Sequence, residues 1–444
     1  MTTSQTRPSR TSQAAPPAPD ELAEGVASKL RPLVEGLMGS VDVRLQFWDG
    51  SMLGPQTGGP GIIHVKSIDA IRRLVWAPDE LGVSRAFVAG DIDFDGDVFE
   101  LLRTLRSSSR SLRAGLKVAP VALSTANELG VLGRPLPPPP EELHPRGWRH
   151  SKSRDAQAVR HHYDVGNDFY ELVLGPAMTY SCARFSRPDM TLAEAQASKH
   201  ELICRKLGLH ERADMRLLDV GCGWGSMAMH AAAHHQAHVV GVTISREQAE
   251  SARRRVAEAG LDDRVEIRLQ DYRDVRGERF DAVSSVGMFE HVGRARMADY
   301  FATLHGLLHP TGRLLNHAIS SVHHSKLGSR TFVYRYVFPD GELIPVGEVI
   351  AAMQDAGFEV RDVESLREHY ATTLHHWVDN LERNWDRAVD LVGEARARIW
   401  RLYMAGSAVG FEDGGLSVHQ VLGVRDGEEG LSAMPRTRDG WVTT

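Results

Sequence analysis

The sequence predicts an α/β protein: a mostly parallel seven-stranded sheet with helices on both faces, preceded by a smaller N-terminal α/β domain. Three observations carry that expectation. From Leu192 onwards, short apolar runs alternate with stretches of helical length. The run Leu217-Leu218-Asp219-Val220 is followed by three glycines in five residues, Gly221, Gly223 and Gly225, and then by the helix-forming Met227-Ala-Met-His-Ala-Ala-Ala. A cluster of five prolines in the six residues Pro135 to Pro140 separates this region from one of different pattern.

The elements follow in order. Residues 1–20 are poor in bulky apolar side chains and read as a disordered tail. Residues 21–133 read as an accessory domain. Leu22 to Met38 has helical spacing, Val41 to Trp48 alternates as a half-buried strand, and Asp49-Gly50 supplies a hairpin turn. Ile62 to Lys66 reads as the returning strand, and Ser67 as the N-cap of a helix from Ile68 to Val75. Residues 134–159 form a proline-rich and then basic linker, with Arg146, Arg149, Lys152 and Arg154 placed to meet lipid phosphates and Trp148 at the interface. A merely solvated hinge is the plainer reading of the same segment. Residues 160–444 form the main domain. Leu192 to Leu207 is its first long helix. Strands are expected at Arg216–Val220, His238–Val242, Val265–Leu269, Phe280–Val286, Gly312–Ile319, Phe358–Val363 and Leu416–Val424. Helices are expected at Ser245–Ala259, Tyr300–Leu308 and Val346–Ala356, and Leu374 to Met404 is mostly helical.

Composition narrows the functional classes. A net charge of −6 argues against a general nucleic-acid binder. Three cysteines, Cys182, Cys204 and Cys222, make no disulfide framework, so a reducing cytoplasm is expected. No run of about 18 apolar residues predicts a transmembrane helix, and the N-terminus has no secretory signal pattern.

Strand, glycine turn and helix together open a nucleotide-binding unit. A dinucleotide fingerprint would need a later third glycine and a carboxylate at the end of the second strand. Here that strand ends in Thr243-Ile244-Ser245, which disfavours NAD. What remains resembles motif I of S-adenosylmethionine (SAM) methyltransferases, with Asp219 near the methionine end of the cofactor.

Six separated segments sharpen the resemblance: His162-Tyr-Asp-Val-Gly-Asn167, Tyr180-Ser-Cys-Ala183, Leu218 to Gly225, Gly241-Val-Thr-Ile-Ser245 with Gln248, Ser285 to Gly293, and Phe338-Pro-Asp-Gly-Glu-Leu343. In this order they resemble the cyclopropane fatty-acid synthase family of lipid methyltransferases, over about Arg160 to Val424. Phe47-Trp-Asp-Gly-Ser51 and Ala89-Gly-Asp-Ile-Asp93 look like the N-terminal domain of its longer members. The resemblance implies a Rossmann-like class I methyltransferase fold. It implies cofactor contacts from Tyr180, Ser181, Leu218, Asp219, Gly221, Gly223, Trp224, Gly225, Thr243, Ile244, Gln248, Gln270 and Asp271, the last at the adenine edge. It implies a bicarbonate-binding catalytic set of Cys182, Glu290, His317, Ile319 and Tyr370, and no metal. A cysteine common near the family's C-terminus is replaced by Ser407, which excludes a covalent thiol mechanism there.

The implied reaction adds a carbon from SAM to the double bond of an unsaturated acyl chain, as a phospholipid at an anionic membrane surface. The enzyme would be cytoplasmic and peripheral to the membrane, and a homodimer is compatible with it. A cyclopropane ring and a methylene branch are both open as products. So are two other readings: a methyltransferase of a small polar acceptor, and a non-catalytic lipid-binding protein on the same fold.

Overall fold

The computed structural model describes residues 25–38, 42–108, 124–143, 154, 165–322, 328–339 and 341–441. The expected tail, most of the basic segment and the His162–Asp164 part of the first motif lie outside them. Arg154 is described, and its side chain is buried. Among the described residues, no helix is long and apolar enough to cross a membrane.

Contacts divide the chain into two units: residues 1–78 with 90–136, and residues 79–89 with 137–444. The first holds α1 (Val26–Met38), β1 (Arg44–Phe47), β2 (Met52–Leu53), β3 (Gly61–Val65) and α2 (Ile68–Trp76). The chain then leaves it through α3 (Glu80–Val88), which belongs to the second unit, and returns as β4 (Ile92–Gly96) and α4 (Val98–Ser108). Ser67 caps α2 by accepting the Asp69 amide. The sheet order is β2-β1-β3-β4.

One expectation is corrected here. The strand returning from the Asp49-Gly50 turn is Met52–Leu53, antiparallel to β1, whereas β3 lies parallel to β1 on its other side. Asp49 tightens the turn by accepting the Ser51 amide and hydroxyl. The returning strand stops at once because Gly54 (φ 96°) crosses the backbone of Val43: a Cβ there would sit 2.4 Å from the Val43 carbonyl oxygen. The loop through Gly58-Gly59-Pro60 then carries β3 past β1.

The second unit continues with α5 (Asn167–Leu174), α6 (Leu192–Leu207), β5 (Arg216–Val220), α7 (Ser226–His235), β6 (His238–Thr243), α8 (Arg246–Glu258), β7 (Val265–Leu269), β8 (Phe280–Val286), α9 (Met297–Leu307) and β9 (Leu308–Ser321). It ends with α10 (Phe332–Tyr336), α11 (Val346–Asp355), β10 (Phe358–Ser365), α12 (Arg367–Arg383), α13 (Trp385–Val392), α14 (Glu394–Glu412) and β11 (Leu416–Arg425). The seven strands are ordered β10-β11-β9-β8-β5-β6-β7, and β11 alone runs antiparallel to its neighbours.

Successive strand residues point to opposite faces, so a sheet covered on both sides needs apolar pairs rather than alternation. Leu217, Val239, Ala282, Leu315 and Leu422 pack into one core with α6, α7 and α8. Their neighbours Leu218, Val240, Val283, Leu314 and Val421 pack into the other with α9 and α11. Local signals set the helix ends: α6 opens with a Thr191/Glu194 capping box and closes on left-handed Gly208. The helical stretch expected from Leu374 is three helices, broken at Asn384 and Gly393 (φ 81°).

Candidate active site

β5 has β6 on one side and β8 on the other, so the chain reverses its direction of winding at β5. Ligands of open α/β sheets bind outside the carboxyl ends of strands at such a point. A cleft opens there with about 1420 Å³ of empty space, counting its mouth. Of the expected cofactor residues, Tyr180, Ser181, Asp219, Gly221, Gly223, Trp224, Thr243, Ile244, Gln248, Gln270 and Asp271 line it. Leu218 and Gly225 do not. Leu218 faces the core below. Gly225 (φ 82°) lets α7 lie against α8, because a Cβ there would stand 3.3 Å from that of Ala252.

The cleft suits a nucleoside with an amino-acid tail. Gly223 (φ 54°) has nothing within 4 Å of where a Cβ would point, so its backbone is bare to a ligand. Asp219 is fully buried. Its Oδ1 accepts the Ser284 hydroxyl at 2.7 Å, while its Oδ2 has no partner. Burial pushes its pKa up to about 6, against the pull of the Ser284 bond and of Lys199. A ligand ammonium or hydroxyl would satisfy Oδ2. Thr243 donates to Gln248 Oε1 at 2.9 Å, which orients that amide at the cleft wall. Asp271 is less free than an adenine-edge role would suggest: both its oxygens already take Arg273 guanidinium bonds, at 2.9 and 2.7 Å.

Two residues that shape the cleft escaped the sequence reading, one in its lining and one behind it. Lys199 on α6 is buried and donates to Ser181 Oγ at 2.9 Å. Burial pulls its pKa down to about 7, and Cys182 and Asp219 oppose that fall. Its place on the buried Gln196–Lys199–Ile203 stripe was the available signal. Arg255 on α8 donates to the Trp224 carbonyl at 2.6 Å, the Ser226 hydroxyl at 3.1 Å and the Ala177 carbonyl at 3.4 Å. It thereby ties the Ala177–Met178 segment to the glycine turn.

None of the five expected catalytic residues lines the cleft, although Met288 and His291, on either side of Glu290, do. Glu290 and Ile319 meet directly, since Glu290 Oε1 accepts the Ile319 amide at 2.6 Å. Glu290 Oε2 is buried with no partner. Burial pushes this carboxyl up to about 7, with the Ile319 bond pulling the other way. His317 stands two residues before Ile319 on β9. Its Nδ1 faces the Gln420 amide at 3.3 Å, and its buried Nε2 has no partner. Burial, then the charges of Lys199 and Lys206, hold it well below the ordinary histidine range, so it is neutral. Cys182 and Tyr370 form a second group at the start of α12. The Leu366 carbonyl accepts the Tyr370 amide at 3.1 Å and faces the Cys182 thiol at 3.6 Å. Burial pushes that thiol up, so it keeps its proton.

Aromatic rings cluster beside Tyr180 of the cleft wall. Tyr180 lies 5.2 Å from Trp377 and 5.8 Å from Trp400, and Tyr370 meets Trp377 edge-on at 6.0 Å. Tyr403 shares a hydrogen bond with Tyr180 and feels the charge of Glu290. On its other side, Tyr403 lines a small pocket with Val165, Val337, Ile399 and Trp400.

Comparison with known proteins identifies the family. The family model described as mycolic acid cyclopropane synthetase matches residues 150–421. A protein of Mycobacterium tuberculosis named "probable fatty acid methyltransferase" is 42% identical over 89% of this chain and 94% of its own length. The cyclopropane-fatty-acyl-phospholipid synthase of Escherichia coli is 38% identical over 63% of this chain and 71% of its own. A crystal structure of a mycolic acid cyclopropane synthase complexed with SAH and CTAB superposes with a TM-score of 0.57, at 35% identity, covering 61% of this chain and 98% of the other. With the glycine turn at the sheet's switch point and the unpartnered Asp219 oxygen in its cleft, and on these matches, the chain belongs to the mycolic acid cyclopropane synthetase family of SAM-dependent methyltransferases.

Proposed function

We propose that this protein methylates the double bond of an unsaturated acyl chain, carried on a phospholipid at a membrane surface, and closes the product to a cyclopropane ring. The observation that carries this reading is that Glu290 Oε2 and His317 Nε2 are each buried without a partner, with Glu290 bonded to the Ile319 amide two residues along β9 from His317. A methyltransferase of a small polar acceptor needs its base at the cleft itself, where the acceptor's own nucleophile is deprotonated. An alkene has no such proton. Its need for a base comes after methyl transfer, at a carbocation in an apolar site.

SAM supplies an electrophilic methyl. The alkene's π electrons form the new C–C bond as the C–S bond breaks, leaving the charge on the other alkene carbon. Ring closure takes the electron pair of one C–H bond of the added methyl and sends that proton to a base. Tyr180, Trp377 and Trp400, the two indoles lying 5.2 and 5.8 Å from Tyr180, would exclude water from the cation. Glu290 and His317 would hold a small anion, bicarbonate, as the base. The donors fit: a Glu290 carboxyl pushed up to about 7 is partly neutral near pH 7 and can donate from Oε2. With Gln420 donating to Nδ1, His317 carries its proton on Nε2.

The test is incubation of the full chain with isotope-labelled SAM and vesicles of cis-unsaturated phospholipid, followed by mass analysis of the acyl chains. The expected result is a gain of one CH₂ with loss of the double bond. A retained double bond would identify a methylene branch instead. Label in a headgroup or a small polar acceptor, with unchanged acyl chains, would overturn the proposal.

A further inference from the structure

Away from the cleft, α6 and α7 bring an unusual set of side chains together. α6 contributes Glu201 and Cys204, one turn apart, and α7 contributes His230 and His235 near its C-terminus. The Cys204 sulfur and one ring nitrogen from each histidine lie within 4.8 Å of one another, the one such group of metal-ligand type among the described residues. Glu201 Oε2 stands 3.3 Å from His230 Nε2 and 2.8 Å from His235 Nε2. We propose that Cys204, His230, His235 and Glu201 form a transition-metal site that clamps α6 to α7.

The donor set argues for a soft divalent ion. One sulfur, two imidazole nitrogens and one carboxylate oxygen suit tetrahedral zinc and exclude the all-oxygen preference of magnesium or calcium. Tetrahedral donors about 2.0–2.3 Å from zinc are about 3.3–3.7 Å apart. The ligand atoms of Cys204, His230 and His235 lie within 4.8 Å of one another, so a shift of roughly 1 Å brings them onto one ion, and Glu201 Oε2 stands beside both histidines as the fourth donor.

The plainer alternative is a carboxylate that only hydrogen-bonds two histidines. Two features favour a metal. Arg205 takes Glu201 Oε1 at 2.6 Å, which fixes the carboxylate and leaves Oε2 aimed at both histidines. Cys204 is fully buried exactly where those histidines converge, in a position a Leu or Ala would fill if packing alone were at stake. Binding replaces the thiol S–H bond with a sulfur–metal bond and releases the proton to solvent.

An outer layer is also present. The His230 ring lies 5.6 Å from His200 and 4.5 Å from His234. His200 lines the cofactor cleft, and the N-terminus of α7 follows the glycine turn. An ion here would anchor the helix that carries the cofactor loop.

The test uses full-length protein stripped with a chelator and titrated with Co²⁺ as a spectroscopic stand-in for Zn²⁺. The expected result is one Co²⁺ per chain with a thiolate-to-cobalt charge-transfer band. The band should vanish in Cys204→Ser, and affinity should fall about tenfold or more in His230→Gln and His235→Gln. Cobalt on the chain's other histidines produces no sulfur band, which separates adventitious binding. Zn²⁺ should raise the melting temperature of the wild type and not of Cys204→Ser. Circular dichroism checks that the variants fold, and Cys204→Ala replaces the serine variant if it does not. Absence of the band in the wild type, or a band of equal affinity in the Cys204 variant, would overturn the proposal.

Discussion

Glu290→Gln separates what the buried carboxyl does for the reaction from what it costs the fold. In the folded chain this group titrates at about 7, against an ordinary value of 4.5, because burial disfavours its charge. Between those two values the folded chain binds a proton that the unfolded chain has released. Stability therefore falls as pH rises from 4.5 to about 7, and the loss is complete above that window. At about 1.4 kcal/mol per pKa unit, the penalty near pH 8 is about 3 kcal/mol. Glutamine keeps an oxygen for the Ile319 amide and places a donor where protonated Oε2 stood, so the two proteins should match at pH 4.5. At pH 8 the variant should be the more stable, by up to about 3 kcal/mol, or roughly 5 °C in melting temperature for a unit of this size. Turnover should fall by about 10²–10⁴, because the amide still donates to the held anion but cannot take up the proton that the anion receives, with SAM affinity nearly unchanged. Thermal melts at the two pH values, calorimetric SAM titration and the lipid assay give the three numbers. Parallel pH–stability curves would refute the burial argument. Near-normal turnover would refute the role of Glu290 in proton removal.

Other perturbations address the remaining parts of the site. Gly223→Val should abolish SAM binding in a calorimetric titration and lower the melting temperature by a few degrees, since a β-branched residue is strained at φ 54° although no atom blocks its side chain; Asp219→Ala should abolish binding by removing the carboxylate whose Oδ2 awaits a partner. His317→Ala and Tyr370→Phe should each lower kcat far more than SAM affinity, and bicarbonate added back to anion-depleted enzyme should stimulate the wild type more than either variant. Arg255→Met frees the Ala177 and Trp224 carbonyls from their shared clamp, so SAM affinity should drop several-fold while the melting temperature changes by only a few degrees.

Much of this molecule is readable along the chain because its signals are local. Apolar pairs such as Leu217-Leu218 and Val239-Val240 require a strand buried on both faces, and the Thr191/Glu194 and Ser67 caps mark their helices without help from distant residues. The glycine turn and the strand end at Thr243 lie close enough in sequence to reveal a cofactor cleft. Everything that depends on a partner far along the chain was decided by packing. Ile62 to Lys66 looked like the second arm of a hairpin, yet the crossing at Gly54 sends β3 to the other side of β1. Gly225 reads as a ligand contact from its motif, while its space is taken by Ala252 of the next helix. Lys199 and Arg255 look like ordinary charged helix positions until the loops bearing Ser181 and Ala177 fold against them. Glu290 meets Ile319 across 29 residues, and Cys204 meets His230 and His235 across two helices. A sequence states which groups are present. Which of them lose water, and so change their protonation or their readiness to hold an ion, follows from what buries them.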